Sequence, residues 1–572
     1  GIGVAVAVNK VSDSNVARLG DNTHTLGGLT IEALKTDLIT PNPDPRPDVF
    51  STTATSGAGA SKVGVAGSLA LNLIDSESSA RIAGGANVTI TGGGAVQLSA
   101  DAEGGVTATA APTEAGGASG ASAGIGVSAA INIIANRSIA EFEDSAEVSG
   151  AGAVSLAASG AFETTADGTA GADSNTGIAL TPALGLNLVS DTTTAQLGTG
   201  NTLSAGSLDI SATQTATTTT NASASAAGGK AAVGAAIAVA LVNDDVVATT
   251  SRSVTTTGAV SFTAMGESEG VLATSASASG AKAADDNGEA SGTDSNTENK
   301  DVDTKVDDQL KTGQTKQNAY NIGDSSQKTA ANDEVDNGGS KRSAKSSEGK
   351  VSVAAAISVN VQSSSVTAVV PDGVLIDAGG KLTIASGNTT GAKTTADGSA
   401  VGEAGAKSQV GIAAAVALNI VTKTTTASLG DSGSNHHADG VDIEASQYLD
   451  SANQPVGDDY ETTATSGAGG SKVGIAGSLA LNLVDATMTA KPYGDVDAGG
   501  GASTISADQR ITTAKASALP TANGGSGGKV GIGASVALNL ITETADAELP
   551  DGITLSHVDG LAVSAGSVLN TD

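Results

Sequence analysis

The chain contains no cysteine and no tryptophan, and it is poor in other aromatic side chains and in histidine. Its 572 residues include four Phe, four Tyr and four His. Without cysteine, the chain can form neither a disulfide framework nor a thiolate metal site. Without bulky aromatic residues a thick globular core is excluded, and the sequence predicts a thin core of Val, Ile, Leu and Ala.

Basic residues are scarce relative to acidic ones. The chain has 28 Lys and Arg against 60 Asp and Glu, which gives a net charge of -32. Nucleic acids and anionic membrane surfaces bind basic patches, so neither is expected as a partner. The apolar run GIGVAVAV at Gly1 is shorter than the ~20 residues that span a bilayer, so no membrane insertion is expected.

The chain is instead rich in one recurring motif. Residues 461–484 read ETTATSGAGGSKVGIAGSLALNLV, and residues 51–74 carry nearly the same sequence. Looser copies of the second half begin at Gly1, Gly124, Gly177, Ala232, Val351, Val410 and Val530. A repeat of roughly 55 to 65 residues predicts stacked units rather than several globular domains.

The apolar half of the motif alternates with period two and predicts a β-strand. Its large face consists of Val473, Ile475, Gly477, Leu479, Leu481 and Leu483. Its small face consists of Gly474, Ala476, Ser478, Ala480 and Asn482. We expect the large face to pack inward, against the small Ala, Thr and Ser faces of the other strands. The small face would then point outward and let chains bundle by close lateral approach.

An asparagine occupies one place on the small face in eight of the nine copies, and Ala240 replaces it in the ninth. The eight residues are Asn9, Asn72, Asn132, Asn187, Asn360, Asn419, Asn482 and Asn539. If the units stack in register, these amides predict a hydrogen-bonded structural ladder. In the alternative interpretation, Asn only ends the apolar run where the strand meets solvent.

Each complete unit has further parts in a constant order. A Thr/Ala strand precedes a Gly-rich corner and the apolar strand, and a Thr-rich continuation, a turn and a short V-x-L-x-A strand follow. This order predicts at least three strands per unit and no helix. Because the chain starts within one repeat strand and stops within a later unit, we expect it to be a segment of a longer protein.

Residues 284–348 interrupt the repeats, since they are polar, charged and free of apolar periodicity. The sequence predicts β repeats over residues 1–283 in about five units, a flexible polar insertion at a repeat corner over 284–348, and β repeats over 349–572 in about four units.

Two all-β architectures fit these units. The first is a repetitive parallel β-solenoid, or β-helix, with wide coils of about 60 residues. The alternative is a stack of antiparallel hairpins that forms an elongated β-sandwich or prism. We favour the solenoid because it places large faces against small ones and absorbs variation in repeat length at its corners.

The apolar strand, the continuation TKTTTASL from Thr422 and the V-x-L-x-A strand resemble the repeats of giant bacterial surface proteins of the filamentous-haemagglutinin and large-adhesin type. The resemblance covers nearly the whole chain apart from the insertion. It implies an extracellular protein, secreted or attached to the cell surface, that serves as a stalk, surface filament or biofilm matrix component. It also implies association with copies of the chain or with neighbouring repeats, and it brings no catalytic motif.

The residues themselves predict no enzyme. No nucleophile elbow or phosphate-binding fingerprint stands between a strand and a helix. The neighbours His436 and His437 would point in different directions on a strand or loop, which makes a poor chelate. We therefore expect no catalytic residue, no bound cofactor and no metal site.

Two alternative functions stay open. In the first, the insertion and the turn loops bind a cell-surface receptor or a glycan. In the second, Ca²⁺ stiffens a β-roll-like stalk through single aspartates in turns, namely Asp21, Asp75, Asp431, Asp485 and Asp551. The glycine-rich nonapeptide of Ca²⁺-binding β-rolls is missing, and turn aspartates also serve local hydrogen bonds.

Overall fold

The computed structural model describes residues 1–35, 48–112, 117–279, 350–400, 408–449, 454–520 and 526–571. Within these ranges the regular elements are all β-strands, numbered β1 to β31 along the chain, and there is no helix. The insertion predicted over residues 284–348 lies outside the described residues.

Nine long strands, one from each copy of the apolar motif, form the first sheet. They are β1 (Ile2–Leu19), β6 (Val63–Ile82), β10 (Ala123–Phe142), β13 (Ile178–Leu197), β15 (Ala231–Thr250), β18 (Val351–Val370), β21 (Val410–Leu429), β25 (Val473–Pro492) and β29 (Val530–Ala547). Neighbours in this order pair in parallel. Because no turn residue separates the apolar run from its Thr-rich continuation, each strand extends over 18 or 20 residues.

The second sheet is built from the V-x-L-x-A and Thr/Ala segments. It contains β3 (Leu29–Leu34), β4 (Asp48–Ser56), β5 (Ala58–Ala60), β8 (Val96–Pro112), β9 (Ala118–Gly120), β12 (Ala151–Ser174), β14 (Leu203–Gly228), β17 (Val260–Ser279), β20 (Leu382–Ala400), β23 (Val441–Ser446), β24 (Asp458–Gly470), β27 (Ala502–Pro520), β28 (Ser526–Gly527) and β31 (Gly560–Thr571). The sequence predicts the two segments as separate strands. In β12, β14 and β17 they run on as one strand, because no proline or turn motif stands between them.

Short strands line a third strip between the two sheets. They are β2 (Thr23–Leu26), β7 (Asn87–Ile90), β11 (Glu147–Ser149), β16 (Val254–Thr256), β19 (Ile376–Ala378), β22 (His436–His437), β26 (Val496–Asp497) and β30 (Leu555–Ser556). Each coil thus passes from the first sheet through this strip into the second sheet, and the next coil stacks on it in parallel.

The protein is therefore an all-β parallel solenoid, and the alternative of stacked antiparallel hairpins is wrong. Among the described residues, antiparallel pairing is limited to one bridge between Leu449 and Pro455. The register continues across the insertion, because β15 pairs directly with β18 and places Ala240 beside Asn360. Five strands of the first sheet precede the insertion and four follow it.

The interior changes in character along each coil. Near the third strip it is filled by branched aliphatic residues and phenylalanine, with Phe142, Phe262 and Leu156 completely buried. Towards the Gly-rich corners it consists almost entirely of alanine, as at Ala236 and Ala415. The core thus consists of large side chains at one edge of the coil and of an alanine layer at the other.

The expected orientation of the apolar strand is wrong. In β25 the small residues Ala476, Ser478 and Ala480 are buried, whereas Leu479 and Leu483 are 39% and 43% exposed. The same phase holds in the other inner strands, where Asn72 and Asn132 are completely buried. Consequently, the small face cannot mediate the lateral bundling that the sequence predicts for it.

The reason for this orientation is the short distance between the two sheets near the corners. A Cβ added to Gly398 on β20 would lie 2.0 Å from the carbonyl oxygen of Ala414 on β21. A Cβ on Gly126 would lie 2.2 Å from the carbonyl oxygen of Gly171. Leucine and isoleucine do not fit between backbones this close, so they occupy the outer face.

Candidate functional site

A column of asparagine side chains runs through the solenoid between the two long sheets. The pairing places each Asn directly beside the equivalent residue of the next coil. Asn72 Nδ2 donates to Asn132 Oδ1 at 2.8 Å, and Asn132 Nδ2 donates to Asn187 Oδ1 at 2.8 Å. On the other side of the insertion, Asn419 donates to Asn482 at 3.0 Å, and Asn482 donates to Asn539 Oδ1 at 2.9 Å.

The same amides also bond to the backbone of the opposite sheet. Asn132 Nδ2 donates to the carbonyl oxygen of Thr165 at 2.7 Å, and Asn187 donates to that of Thr219 at 2.8 Å. Asn9 reaches the carbonyl oxygen of Ser51 at 2.9 Å. Asn72, Asn132, Asn419 and Asn482 therefore link adjacent coils along the axis and also join the two sheets across the core. These asparagines do not end the strand at a solvent boundary.

The column changes where Ala240 replaces the asparagine. Asn187 donates instead to Thr220 Oγ1 at 2.8 Å, and Asn360 contacts Gln362 Oε1 at 3.4 Å. Ala240 packs in one buried apolar cluster with Leu272, which pairs with Thr220 in the second sheet. Where the amide is missing, the second sheet therefore carries a large apolar residue, Leu272, in the same buried cluster.

A second buried column stands four residues further along each strand, on the same inward face. Its members in stacking order are Asp13, Ser76, Asn136, Asp191, Asp244, Ser364, Lys423, Ala486 and Glu543. Hydroxyl, amide and charged side chains follow one another here inside the solenoid. We call this set the polar column.

Two carboxylates of the polar column lie side by side and buried. Asn136 Nδ2 donates to Asp191 Oδ1 at 2.8 Å, and Gln214 Nε2 donates to Asp244 Oδ1 at 3.2 Å. Ser268 Oγ donates to the second oxygen of Asp244. Burial raises the pKa of Asp244 to about 7. Burial and, to a lesser degree, the charge of Asp244 raise the pKa of Asp191 well above its usual value.

Further along the polar column, Lys423 forms a buried ion pair with Asp458. Its Nζ lies 2.7 and 2.9 Å from the two carboxylate oxygens, and both side chains are fully buried. Asp458 also accepts hydrogen bonds from Gln509 Nε2 at 2.6 Å and from the backbone N–H of Thr390 at 2.9 Å. Burial lowers the pKa of Lys423, and the facing carboxylate opposes this shift. This arrangement holds strands of both sheets together around a neutralised charge.

Sequence reasoning missed the polar column. Asp191, Asp244 and Lys423 share the phase of the Asn four residues earlier, so they lie on the same face of the strand. The prediction that the Asn face points outward would place these charges in solvent. The repeated spacing of four residues after each Asn was the signal that could have found them.

The two neighbouring histidines lie on β22 and point to opposite sides. His436 is completely buried, and its Nε2 lies 2.9 Å from the carbonyl oxygen of Gly430. Burial lowers the pKa of His436. His437 faces outward, 3.9 Å from a carboxylate oxygen of Asp377. In the part of the chain that the structure describes, no three His, Asp or Glu side chains converge on a metal position.

Carboxylates at the outer turns bond to the backbone of the next coil. Thr199 N donates to Asp144 Oδ1 at 2.8 Å, and Asp431 N donates to Asp372 Oδ1 at 2.9 Å. These hydrogen bonds serve coil stacking. The expectation that Asp75 and Asp485 occupy turns is wrong, because both lie within long strands of the first sheet.

No family model, curated protein or solved structure matches this chain. Among the described residues, no helix is long and apolar enough to cross a membrane.

Proposed function

We propose that this chain is a structural, self-associating segment of an extracellular bacterial fibre or adhesin. It acts as part of a stalk, a surface filament or a biofilm matrix, and it performs no catalysis. Its partners are neighbouring repeats of its parent protein and other copies of the chain. The proposal draws its location and source from the resemblance of the repeats to those of large bacterial adhesins.

One observation carries the mechanical part of the proposal, namely the unbroken register of nine stacked strands. Each added coil contributes a complete row of backbone hydrogen bonds and, in most coils, one more amide of the asparagine column. A solenoid in which every coil contacts only its neighbours resists bending over its whole length and can be extended without a change of design. Such a rod suits a stalk.

Acidic composition supports the same role. A net charge of -32 keeps a long β-rich chain soluble and repels anionic surfaces. On the outer face, some charged side chains form ion pairs with opposite charges on the next coil, as Lys491 does with Asp546 at 2.5 Å. Such pairs hold adjacent coils together at the surface at little energetic gain each.

Receptor or glycan binding through the insertion and turn loops is the remaining alternative. The insertion lies outside the described residues, and the turn carboxylates Asp144 and Asp372 are engaged with backbone N–H groups of neighbouring coils. Because these carboxylates already accept hydrogen bonds from the backbone, the turns offer less support for a glycan site or a Ca²⁺ site. The structural role therefore has the stronger support.

Electron microscopy of the native material, with a computed power spectrum, tests the proposal. A long filament with a meridional reflection near ~4.8 Å, the separation of stacked strands, is the expected result. Compact, discrete particles without that reflection would contradict a fibre and would direct attention to glycan binding.

A further inference from the structure

The outer face of the first sheet is apolar over half its width. On β25 its members are Val473, Ile475, Gly477, Leu479, Leu481 and Leu483, and on the other strands their register partners. We call this surface the apolar outer face. Apart from Lys10 at the edge of β1, each of its positions is Val, Ile, Leu, Ala, Gly or Pro.

Many large side chains of this face are exposed, and the others are half-buried. Ile178, Ile237 and Leu241 on inner strands are 51%, 39% and 44% exposed. With strands ~4.8 Å apart and residues ~3.3 Å apart, the face covers on the order of 1,300 Å². Soluble monomers rarely expose a contiguous apolar patch this large, and a stable interface needs about 800 Å² from each partner.

The face ends abruptly where the strands become polar. The next outward positions are Asp75, Ala135, Ser190, Asn243, Ser363, Thr422, Asp485 and Thr542. Beyond them lie ion pairs such as Arg81 with Glu141 at 2.9 Å. One half of the outer sheet surface is therefore apolar, and the other half is polar and charged.

The apolar outer face has a groove and a ridge that both follow the solenoid axis. Small residues dominate the groove, whose members are Val4, Gly67, Val127, Pro182, Ala235, Ala355, Ala414, Gly477 and Ala534. A Cβ added to Gly67 would meet no atom within 4 Å, so the groove is open. The adjacent ridge holds Val6, Leu69, Leu184, Ile237, Ile357, Val416, Leu479 and Val536, with Ala129 as a small member.

We propose that two copies of this chain pair through the apolar outer face, with their solenoid axes parallel and the strands of the facing sheets antiparallel. The midline of the face runs between groove and ridge. A twofold axis along this midline therefore sets the groove of each copy against the ridge of the other. The opposite orientation would set groove against groove and ridge against ridge, which packs poorly.

Charge favours the same arrangement. In the antiparallel orientation the polar halves lie at opposite edges of the pair, whereas in the parallel orientation they would face each other. Two chains of charge -32 repel, so separating their charged halves lowers the cost of association. The partner must also match a side-chain column that repeats every ~4.8 Å, and a second copy of the same sheet has that spacing. An anionic lipid surface offers neither the spacing nor the charge.

This inference deepens the proposed structural role by naming the lateral partner, and it rests on that role. Sedimentation equilibrium of the wild-type chain tests it first. We expect a dimer whose dissociation constant falls as the salt concentration rises, because salt screens the repulsion between acidic copies. A chain that stays monomeric at protein concentrations up to about 100 µM would overturn the proposal.

Variants locate the interface. Ile237→Glu with Leu241→Glu places two charges on β15, the central strand of the face, on side chains that are already partly solvated in the single copy. We expect the dissociation constant to rise at least about 100-fold, since unpaired charges are costly in an apolar interface. The matched control, Thr426→Glu, changes the polar half of the same sheet and leaves association intact. Far-UV circular dichroism and the melting temperature establish that each variant is folded.

The relative orientation can be measured on a folded, almost unaltered chain. Because the protein has no cysteine, Thr422→Cys provides a single nitroxide-label site per copy. Antiparallel facing strands place the two labels roughly 45 Å apart, and parallel ones place them within roughly 25 Å. A short distance in a double electron–electron resonance experiment would overturn the proposed orientation.

Flotation with phosphatidylcholine vesicles separates the proposal from lipid binding. We expect the wild-type chain to stay at the bottom of the gradient. Flotation of the wild type that is lost in the Glu variant would assign the face to lipid and overturn pairing. A filament one solenoid wide that keeps the ~4.8 Å reflection would overturn pairing and leave the structural role standing.

Discussion

Buried amides are the residues that give each coil its specific neighbour. Asn132 accepts a hydrogen bond from Asn72, donates to Asn187 and donates to the backbone of Thr165. A hydrogen bond made by a buried group contributes about 1 kcal/mol, and an unsatisfied partner costs more. The column therefore specifies register as well as adding stability, because a slip by one residue would expose every amide and bury leucine.

Asn132→Ala tests this role. We expect the free energy of unfolding to fall by ~2 to 4 kcal/mol, because three hydrogen bonds are lost and neighbouring amide groups stay buried without partners. Urea denaturation followed by circular dichroism measures the change. Asn243→Ala, at an exposed outward position on β15, is the control and should change stability by less than ~0.5 kcal/mol. Equal effects of the two substitutions would contradict a structural ladder.

The buried carboxylate Asp244 predicts an unusual pH dependence. In the unfolded chain its pKa is near 3.8, whereas burial raises the folded value to about 7. Between these values the folded state binds more protons at this group than the unfolded state does, so the contribution of Asp244 to stability is greatest below pH ~4 and falls as the pH rises towards 7. The loss that belongs to this group is up to roughly 4 kcal/mol.

Comparison with Asp244→Asn isolates this effect from that of the other acidic residues. We expect the variant to lose little at pH 4 and to exceed the wild type in stability at pH 8, because an amide needs no proton to remain neutral. Urea denaturation at several pH values gives the difference curve. Asp209→Asn, at an exposed position on β14, should give a flat difference. A flat curve for Asp244→Asn would show that this carboxylate is ionised in the folded chain.

At the scale of the strand, period two identified the elements but not their orientation. An alternating strand has two faces, and the pattern does not state which of them meets the core. Burial of the bulky face is the usual outcome, and here the opposite occurs because the backbones of the two sheets nearly touch at Gly398 and Gly126. The decisive information lies in the opposite sheet, whose Gly, Ala and Ser residues leave no room for leucine.

A pair of substitutions on β25 tests the orientation. Ala480→Leu adds volume to a completely buried position and should lower the free energy of unfolding by ~1 to 3 kcal/mol or more. Leu483→Ala, at a position 43% exposed, should cost less than ~1 kcal/mol. Both are measured by urea denaturation at low protein concentration, where copies do not pair. The reverse ranking would place the leucine face inside.

At the scale of the whole molecule, the stack does not depend on continuity of the chain at one corner. β17 ends at Ser279 and β18 begins at Val351, yet β18 pairs with β15 in the common register. Other coils connect the same two strands through a few Gly, Ser and Lys residues, as at Gly229 and Lys230 between β14 and β15. The insertion therefore occupies a position where the fold requires only a short turn.

Replacing residues 280–349 with Gly-Gly-Ser should therefore leave the solenoid intact. Loop closure depends only weakly on length, so we expect the melting temperature to change by less than ~3 °C. Calorimetry and circular dichroism measure this. A large loss of stability, or of cooperative unfolding, would mean that the insertion contributes to the stack. The variant also tests receptor or glycan binding by the insertion, since such binding would then disappear.

The sequence by itself determined the repeat, the strand segments and the positions of the asparagine column, because all of these follow from periods that recur along the chain. It favoured parallel stacking but left antiparallel hairpins open, and the pairing of the strands in the structure decided between them. Only the tertiary structure decided which face of the long strand is inside and which charges are buried. Those outcomes depend on the distance between two sheets, which no single strand encodes. Because the two sheets lie close together, the small face that carries Lys423 and Asp244 is buried and the leucine face is on the surface. The strand pattern alone predicted the bulky face inside.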